Sequence, residues 1–185
     1  SKGALHLYNK FHMEHPSNMF VLEYASRPPL AKIFYEDCLM AAVFYGYPLL
    51  IENNKYGIAR HFESRGYDGY LMERPRHTMT ANSKVNVKTK GIPSNSQDVI
   101  QAHAHAIEAY IHNHVGINRE TGEYGKMYFN STLEDWIGFK INDRTKFDLT
   151  ISSGLCLLAA QKVKVKNKKS NFDEKRFFRT YKVRG

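Results

Sequence analysis

The sequence is poor in the features that mark secreted, membrane-bound or zinc-binding proteins. It has two cysteines in 185 residues. Both of them, Cys38 and Cys156, lie in apolar segments with helical spacing, which indicates buried, reduced thiols rather than a disulfide or a metal site. No apolar run reaches the length of a membrane span, and no basic-then-apolar leader is present. We therefore expect a soluble protein without a membrane partner.

Several catalytic motifs are missing as well. There is no glycine-rich phosphate loop ending in Gly-Lys-Ser/Thr, so this chain is not expected to be an ATPase. There is no Gly-x-Ser-x-Gly, and neither cysteine has a credible base. His103 and His105 resemble a metal pair, but helix positions two apart point in different directions. We interpret both histidines as a helix flank.

The charge, by contrast, is high and uneven. The net charge is +9, from 27 Lys and Arg against 18 Asp and Glu. Residues 162–185 hold ten basic and two acidic side chains, about +8, so residues 1–161 are nearly neutral. We predict one folded domain over residues 1–161 and a basic tail over 162–185. Such a tail favours a polyanion partner, most often nucleic acid, although a solvated solubility tail is the alternative.

The periodicity of residues 4–161 predicts an α/β domain with a mixed, partly parallel central sheet flanked by helices. Two alternating segments around a polar turn predict a hairpin, and an apolar run after the first helix predicts a strand buried on both faces. The predicted strands are residues 4–11, 19–25, 47–52, 69–73 and 126–129, and the predicted helices are residues 30–45, 53–66, 97–111, 131–137 and 146–161.

Three acidic residues are candidate metal ligands. Glu52 ends the apolar strand 47–52, at the edge where ligands bind in open α/β sheets. Asp148 begins the apolar last helix, and Asp143 lies in the loop before it. Close carboxylates repel one another unless cations lie between them, so their convergence would favour Mg²⁺ or Mn²⁺. The structural alternatives are a solvent-facing strand end for Glu52 and a capping box of Thr145 and Asp148.

Four segments in order, residues 50–57, 90–94, 133–139 and 146–152, resemble the nuclease domain of large terminase subunits of tailed phages, and most closely those of crAss-like phages. In that family an acidic residue ends a strand and is followed by asparagines and a helix. An Asp opens the final helix, which is rich in small residues. The ordered set is more specific than any one segment.

The resemblance implies an RNase H-like fold and an endonuclease that cuts concatemeric double-stranded genomes during packaging. Glu52 corresponds to the family's second acid and Asp148 to its third, and two Mg²⁺ or Mn²⁺ ions would serve phosphodiester hydrolysis. The implied partners are double-stranded DNA, a terminase ATPase domain in the same full-length polypeptide, the portal and the small terminase. The implied location is the cytoplasm of the infected bacterial host.

The sequence departs from the family at its first acid, an Asp on the first strand of the sheet. No Asp precedes Asp37, which lies within a predicted helix, so we expect that strand and its Asp to lie outside this sequence.

The resemblance also places Lys84, Lys88 and Lys90 near DNA, as phosphate contacts without sequence preference. Lys55, which follows Glu52 closely, is a fourth candidate DNA contact. The alternative for Lys84, Lys88 and Lys90 is a solvated edge of the fold that contacts no DNA.

Two other functions remain open from the sequence. The chain could be a DNA- or motor-binding module that cannot cut alone because it lacks the first Asp. It could also be another RNase H-like nuclease, such as a resolvase or transposase.

Overall fold

A computed structural model describes residues 2–10, 17–54, 56–79, 89–116 and 125–161 of the chain. This part is mixed α/β, with a two-stranded antiparallel sheet, five α-helices and several short helical turns. None of these helices has the length and apolarity that crossing a membrane requires. The basic tail and residues 11–16, 55, 80–88 and 117–124 lie outside the described residues.

The predicted hairpin is confirmed. Strand β1 (Gly3–Asn9) pairs antiparallel with β2 (Met19–Ser26), from Gly3 opposite Ser26 to Asn9 opposite Met19, with an irregularity between Leu7 and Tyr8. The alternation of side chains along β1 sends Leu5 and Leu7 to one face and Tyr8 to the other, because successive residues of a strand point in opposite directions.

The other predicted strands are only partly formed. Single bridges join Leu49 to Leu71 and Glu52 to Ile92, both parallel, and residues 73 and 90 form an antiparallel bridge. These contacts make segments 49–52, 71–73 and 90–92 a rudimentary mixed sheet. The strand predicted at residues 126–129 is wrong, since this stretch makes no strand pairing within the described residues.

Helices α1 (Ala31–Tyr45) and α2 (Gly57–Ser64) confirm two of the predicted helices. Helix α1 ends at Gly46, whose φ of 67° suits glycine. The prediction that the asparagines at 53 and 54 cap α2 is wrong. The helix begins after Tyr56, and Asn54 Nδ2 instead donates to Ser94 Oγ at 2.7 Å.

Helices α3 (Gln97–Tyr110), α4 (Asn130–Gly138) and α5 (Asp148–Ala160) confirm the remaining three. A π-helical turn, Ile111–Val115, continues α3. As predicted, α5 is largely buried. The capping box that was the structural alternative for Asp148 does not fit, because α5 begins at Asp148 with Phe147 as its N-cap residue.

Two apolar clusters lie on opposite faces of the extended segments. The α1-side cluster is built from α1, α2 and those strand residues whose side chains point toward these helices. The α5-side cluster is built from α3, α4, α5 and the strand residues whose side chains point the other way. The α1-side cluster contains Leu5, Leu7, Cys38, Leu39, Ala42, Leu49, Ile51, Phe62 and Leu71. The α5-side cluster contains Phe20, Ile92, Val99, Ala106, Ile107, Tyr110, Met127, Trp136, Leu155, Leu157 and Leu158, with Tyr8 and Leu50 packed against it.

Gly91 is required where segment 90–92 meets segment 49–52. Its φ is +80°, and a Cβ at this position would lie 2.5 Å from the carbonyl oxygen of Ile51. We expect Gly91→Ala to lower the free energy of unfolding by about 1–3 kcal/mol, because it combines a strained φ with a backbone clash. Urea denaturation measures this change.

Gly69→Ala is the matched control. Its Cβ would meet nothing within 4 Å, and its φ is not positive. The change in stability there should stay within about 0.5 kcal/mol. Equal effects of the two substitutions would contradict the role assigned to Gly91.

Candidate active site

A cavity of about 800 Å³ lies between β1 and segment 46–52, with α1 and α5 contributing further walls. Most of its surface is apolar, while Glu52 and Asp148 are its two carboxylates. The other ionisable side chains that line it are Lys2, His6, Lys10, Arg27, Tyr8, Tyr35, Tyr47, Cys38 and Cys156. The cavity therefore combines an apolar interior with a small set of charged groups, which is typical of ligand and active sites.

Glu52 is held at the end of segment 49–52 by backbone hydrogen bonds to Ile92. The Ile92 N–H donates to the Ile51 carbonyl at 2.9 Å, and the Asn53 N–H donates to the Ile92 carbonyl at 3.0 Å. Ile92 is fully buried, so it anchors both bonds in the core. The carboxylate of half-buried Glu52 is therefore carried on a fixed backbone, as predicted for the end of a strand.

Asp148 is the first residue of α5, and it is also half-buried. Its Oδ2 accepts a hydrogen bond from the backbone N–H of Lys2 at 2.9 Å, so the start of β1 and the start of α5 are joined. The N-terminus of α5 is fixed further by Asp135 on α4. Asp135 Oδ2 accepts from the Thr150 N–H at 2.7 Å and from Thr150 Oγ1 at 2.8 Å.

Asp143 lies apart from the other two acids. It is in a 3-10 turn, Ile141–Lys146, and forms an exposed ion pair with Lys146 at 2.8 Å. Neither residue lines the cavity. The structure thus brings Glu52 and Asp148 to one cavity and leaves Asp143 outside it.

The donor set fits a divalent cation in kind, since two carboxylates offer the oxygen ligands that Mg²⁺ and Mn²⁺ prefer. The set is small, however, because it contains only these two carboxylates. Within the described ranges, no group of three or more His, Cys, Asp or Glu side chains is placed to hold a metal ion. Two ions would need ligands in addition to Glu52 and Asp148.

Of the four candidate DNA-binding lysines, only Lys90 lies within the described residues. Its Nζ donates to the Leu71 carbonyl at 3.0 Å, which ties the side chain to segment 71–73. Lys55, Lys84 and Lys88 lie outside the described residues, as does the basic tail.

A buried hydrogen-bonded chain beside the cavity was missed by the sequence reasoning. Thr132 donates from its hydroxyl to Glu23 Oε2 at 2.5 Å, and its N–H donates to the same oxygen at 3.0 Å. Since Thr132 Oγ1 has only one proton, it accepts from His6 Nε2 at 2.8 Å. His6 Nδ1 then accepts from Ser152 Oγ at 3.0 Å. Both His6 and Ser152 line the cavity.

Burial keeps His6 neutral, and with Nε2 protonated toward Thr132 the neutral ring leaves Nδ1 to accept from Ser152. The imidazole is 3% exposed, and burial lowers its pKa from 6.5 to about 4. The signal that could have revealed it is a histidine in the middle of an alternating apolar strand, where a buried polar side chain requires a partner.

His103 is fully buried, so its interpretation as part of a helix flank is wrong. His105, two residues on, is exposed, so the prediction that the two point in different directions is confirmed. Neither ring nitrogen of His103 has a hydrogen-bond partner among the described residues. Burial first, and then the nearby Arg144, lower the pKa of His103 to about 4.

The two cysteines are free thiols, as predicted. Burial raises the pKa of Cys38 and that of Cys156 to about 12, which makes both poor nucleophiles near neutral pH. Cys156 Sγ donates a weak hydrogen bond to the His6 carbonyl at 3.5 Å.

Comparison with known proteins adds nothing to this geometry: no protein-family model, no curated protein and no solved structure matches the chain.

The buried histidines predict a pH dependence of stability. A pKa lowered from 6.5 to about 4 means that the unfolded chain takes up the proton first as the pH falls. Stability from a neutral histidine is therefore complete above pH 6.5 and is lost progressively toward pH 4. Each histidine contributes a slope of up to about 1.4 kcal/mol per pH unit in this window.

We expect His103→Leu to reduce this slope measurably. It should also raise the free energy of unfolding at neutral pH by about 1 kcal/mol, because it removes an unpaired buried polar group. Urea denaturation at several pH values between 4 and 7 measures both effects. His105→Leu is the control, since His105 is exposed on the same helix and should leave the slope unchanged. A His103→Leu variant with the parent's slope would contradict the prediction.

Proposed function

We propose that this chain is a metal-dependent DNA endonuclease domain of the RNase H-like kind, acting in viral DNA packaging in the cytoplasm of a bacterial host. The observation that carries the proposal is the placement of Glu52 and Asp148. They come from distant parts of the sequence, and both line one cavity. These are the two residues that the terminase resemblance assigns as catalytic acids.

The fixed backbones beneath the two acids support a metal-binding role. The Ile92 bonds hold the backbone beneath Glu52, and the bond from Thr150 to Asp135 holds the start of α5 beneath Asp148. The Lys2 N–H bonds one oxygen of the Asp148 carboxylate and leaves the other oxygen for an ion. Mg²⁺ or Mn²⁺ bound there would supply an activated water and stabilise the leaving oxygen of the phosphodiester. Two ions would require further ligands, and the resemblance assigns one of these to the family's first acid.

Double-stranded DNA is the proposed substrate. Lys2, Lys10 and Arg27 line the same cavity as the two acids and add positive charge to it. The basic tail and the lysines at 55, 84 and 88 would add sequence-independent phosphate contacts. An ATPase domain in the same polypeptide, a portal and a small terminase are the proposed protein partners, on the resemblance alone.

Supercoiled plasmid incubated with Mn²⁺ tests the proposal. We expect the parent chain to nick it, and Glu52→Gln and Asp148→Asn each to slow nicking by at least about 100-fold, because each removes a metal ligand while preserving size. Asp143→Asn is the matched control: its carboxylate pairs with Lys146 away from the cavity, so its rate should equal the parent's. Undiminished nicking by both Glu52→Gln and Asp148→Asn would refute the site.

A DNA-binding module that cannot cut alone is the second candidate. The observation that favours it is the small ligand set, since no three-ligand group occurs within the described ranges. A parent chain that binds duplex DNA without metal, and does not nick it with Mn²⁺, would support this module over the nuclease.

The salt dependence of DNA binding tests the lysines under either candidate. We expect Lys84→Ala and Lys88→Ala each to reduce the slope of log K against log salt by about 1, as the loss of one phosphate contact does. Lys90→Ala should reduce the slope less, because the bond to the Leu71 carbonyl ties the Lys90 ammonium to segment 71–73 and limits its reach to a phosphate. Fluorescence anisotropy with a labelled duplex at several salt concentrations measures the slopes. An equal loss of slope in all three variants would contradict this distinction.

A further inference from the structure

We infer that the outer face of α1 pairs with α1 of a second copy of the chain, with the two helices antiparallel about a two-fold axis. This face points away from the apolar clusters and toward solvent. The pairing uses neither Glu52 nor Asp148 and needs no metal ion, so it is independent of the proposed nuclease.

Helix α1 is apolar on its outer face as well as on its inner face. The inner face buries Cys38, Leu39 and Ala42 in the α1-side cluster. Only three of the 15 residues of α1 are charged. A surface helix normally keeps polar side chains on the side away from the core, whereas a helix that is apolar all round is normally buried. The outer face of α1 is therefore expected to have a partner.

The exposed apolar side chains of α1 form a stripe along the helix. Ile33, Met40 and Phe44 are spaced by seven and four residues, so they project on the same side. Their exposed fractions are 45%, 54% and 82%, and Leu30, directly before the helix, is 65% exposed. Residues 30–45 hold six of the twelve large apolar side chains that are exposed in the described part of the chain. This concentration is typical of an interaction surface rather than of scattered surface residues.

An antiparallel copy of the stripe matches it in register. When Ile33 lies opposite the partner's Phe44, Phe44 lies opposite the partner's Ile33, as two-fold symmetry requires. The axis then passes through the middle of the helix, and Met40 lies opposite the partner's Asp37. The Asp37 carboxylate already accepts from the Tyr24 hydroxyl at 2.5 Å, so it does not enter the contact as an unpaired charge.

The charges of α1 select the antiparallel orientation. Its charged positions are 32, 36 and 37, and in this register they face positions 45, 41 and 40, which are uncharged. A parallel pair would instead place each charge opposite its own copy. Like charges in direct opposition disfavour association, so the antiparallel pair is the one that the sequence of α1 accommodates.

The ends of the stripe supply a second contact with the same symmetry. In this register Leu30 and the two prolines before it reach the partner just beyond the end of its α1, at residues 46–48. An open cleft of about 300 Å³ lies there, lined by Gly46, Pro48, Gly66, Tyr67, Gly69 and Tyr70. Aromatic-lined grooves are a common docking site for proline-containing segments.

Arg27 and Asp68 carry opposite charges at these two ends. Arg27 precedes the two prolines, Asp68 lies in the turn that lines the cleft, and both are exposed. Neither forms an ion pair with another described residue. The antiparallel register brings each Arg27 toward the partner's Asp68, and two-fold symmetry makes this contact twice. Opposite charges arranged in this way favour one orientation and register of association.

The size of the surface indicates a weak, reversible dimer. Helix α1 is about 22 Å long and about 12 Å wide, and the four extended residues before it add about 13 Å. Each copy thus contributes roughly 400 Å² in projection. This is about half of the area that each partner buries in an interface of standard size. We therefore expect monomer and dimer to exchange, with the dimer favoured at high concentration.

Sedimentation equilibrium of the full chain tests the pairing at concentrations from about 1 μM to about 1 mM, which covers weak complexes. We expect the mean mass to rise from 21.4 kDa toward twice that value. Phe44→Asp should abolish the rise, because it places a charge opposite the partner's Ile33. Ile137→Asp is the matched control: Ile137 is 87% exposed but lies on α4, so its variant should associate as the parent does.

Two outcomes of this experiment would overturn the inference. One is a parent chain that stays monomeric throughout, as it would if the basic tail of the same copy covered α1. The other is a Phe44→Asp variant that associates as the parent does. Far-UV circular dichroism confirms that both variants are folded.

Cysteine pairing tests the register. Ile33→Cys and Phe44→Cys proteins, mixed and oxidised, should form a disulfide with each other, because facing positions of paired helices come within the span of about 4.4–6.8 Å between Cα atoms. Neither variant should crosslink alone, since its two new thiols would lie about 16 Å apart along the pair. The parent, whose own thiols are buried, is the control. Crosslinking of either variant alone, or none in the mixture, would contradict the antiparallel register.

Charge reversal tests the contacts at the ends. Arg27→Glu and Asp68→Arg should each weaken association by about 3-fold or more, as the loss of two exposed ion pairs does. The double variant should recover the association of the parent. A double variant no stronger than either single variant would contradict the pairing of these charges. None of these measurements uses DNA or a metal ion, so a chain that dimerises but does not nick DNA would refute the proposed nuclease alone.

Discussion

The hydrogen-bonded chain from Glu23 through Thr132 and His6 to Ser152 joins the hairpin to the last two helices. Each member has a defined direction: Ser152 donates to His6, His6 to Thr132, and Thr132 to the carboxylate of Glu23. Protonating His6 would make Nδ1 a donor, so the bond between His6 and Ser152 would have to reverse its direction. Burial lowers the pKa of His6 to about 4, so the ring is neutral near neutral pH and the direction of the chain is maintained.

Two helix N-termini are fixed by acids from other elements, and this determines where Asp148 lies. Glu23 accepts the N–H and hydroxyl protons of Thr132 in the first turn of α4, and Asp135 accepts those of Thr150 in the first turn of α5. In each case a carboxylate satisfies unpaired N–H groups and complements the helix dipole. The position of Asp148 at the start of α5 therefore depends on two successive contacts, from β2 to α4 and from α4 to α5, rather than on a local cap.

The sequence predicted the helices and strands that local periodicity determines. Its predictions were wrong where a residue's contact partner is distant in the sequence. The hairpin and α1 follow from alternation and helical spacing, and α5 from its continuous apolar composition. The capping box at Asp148 was wrong because the acid that caps α5 is Asp135, whose spacing gives no local signal. His103 is buried by the tight approach of Gly154, where a Cβ would lie 2.9 Å from the His103 ring, and this is a contact between distant segments. Likewise, Glu52 was identified as the end of a predicted strand and Asp148 as the start of a predicted helix. Only the tertiary fold shows that the two residues line one cavity.

Glu52 and Asp148 reach the cavity on backbones that different parts of the chain hold in place. The bonds to Ile92 fix the segment beneath Glu52, and the bond from Thr150 to Asp135 fixes the start of α5 beneath Asp148. A change that loosens either set of bonds would therefore move one carboxylate relative to the other without altering either side chain. The spacing of the two carboxylates is thus a property of the whole domain, because the bonds that set it come from segments distant in the sequence.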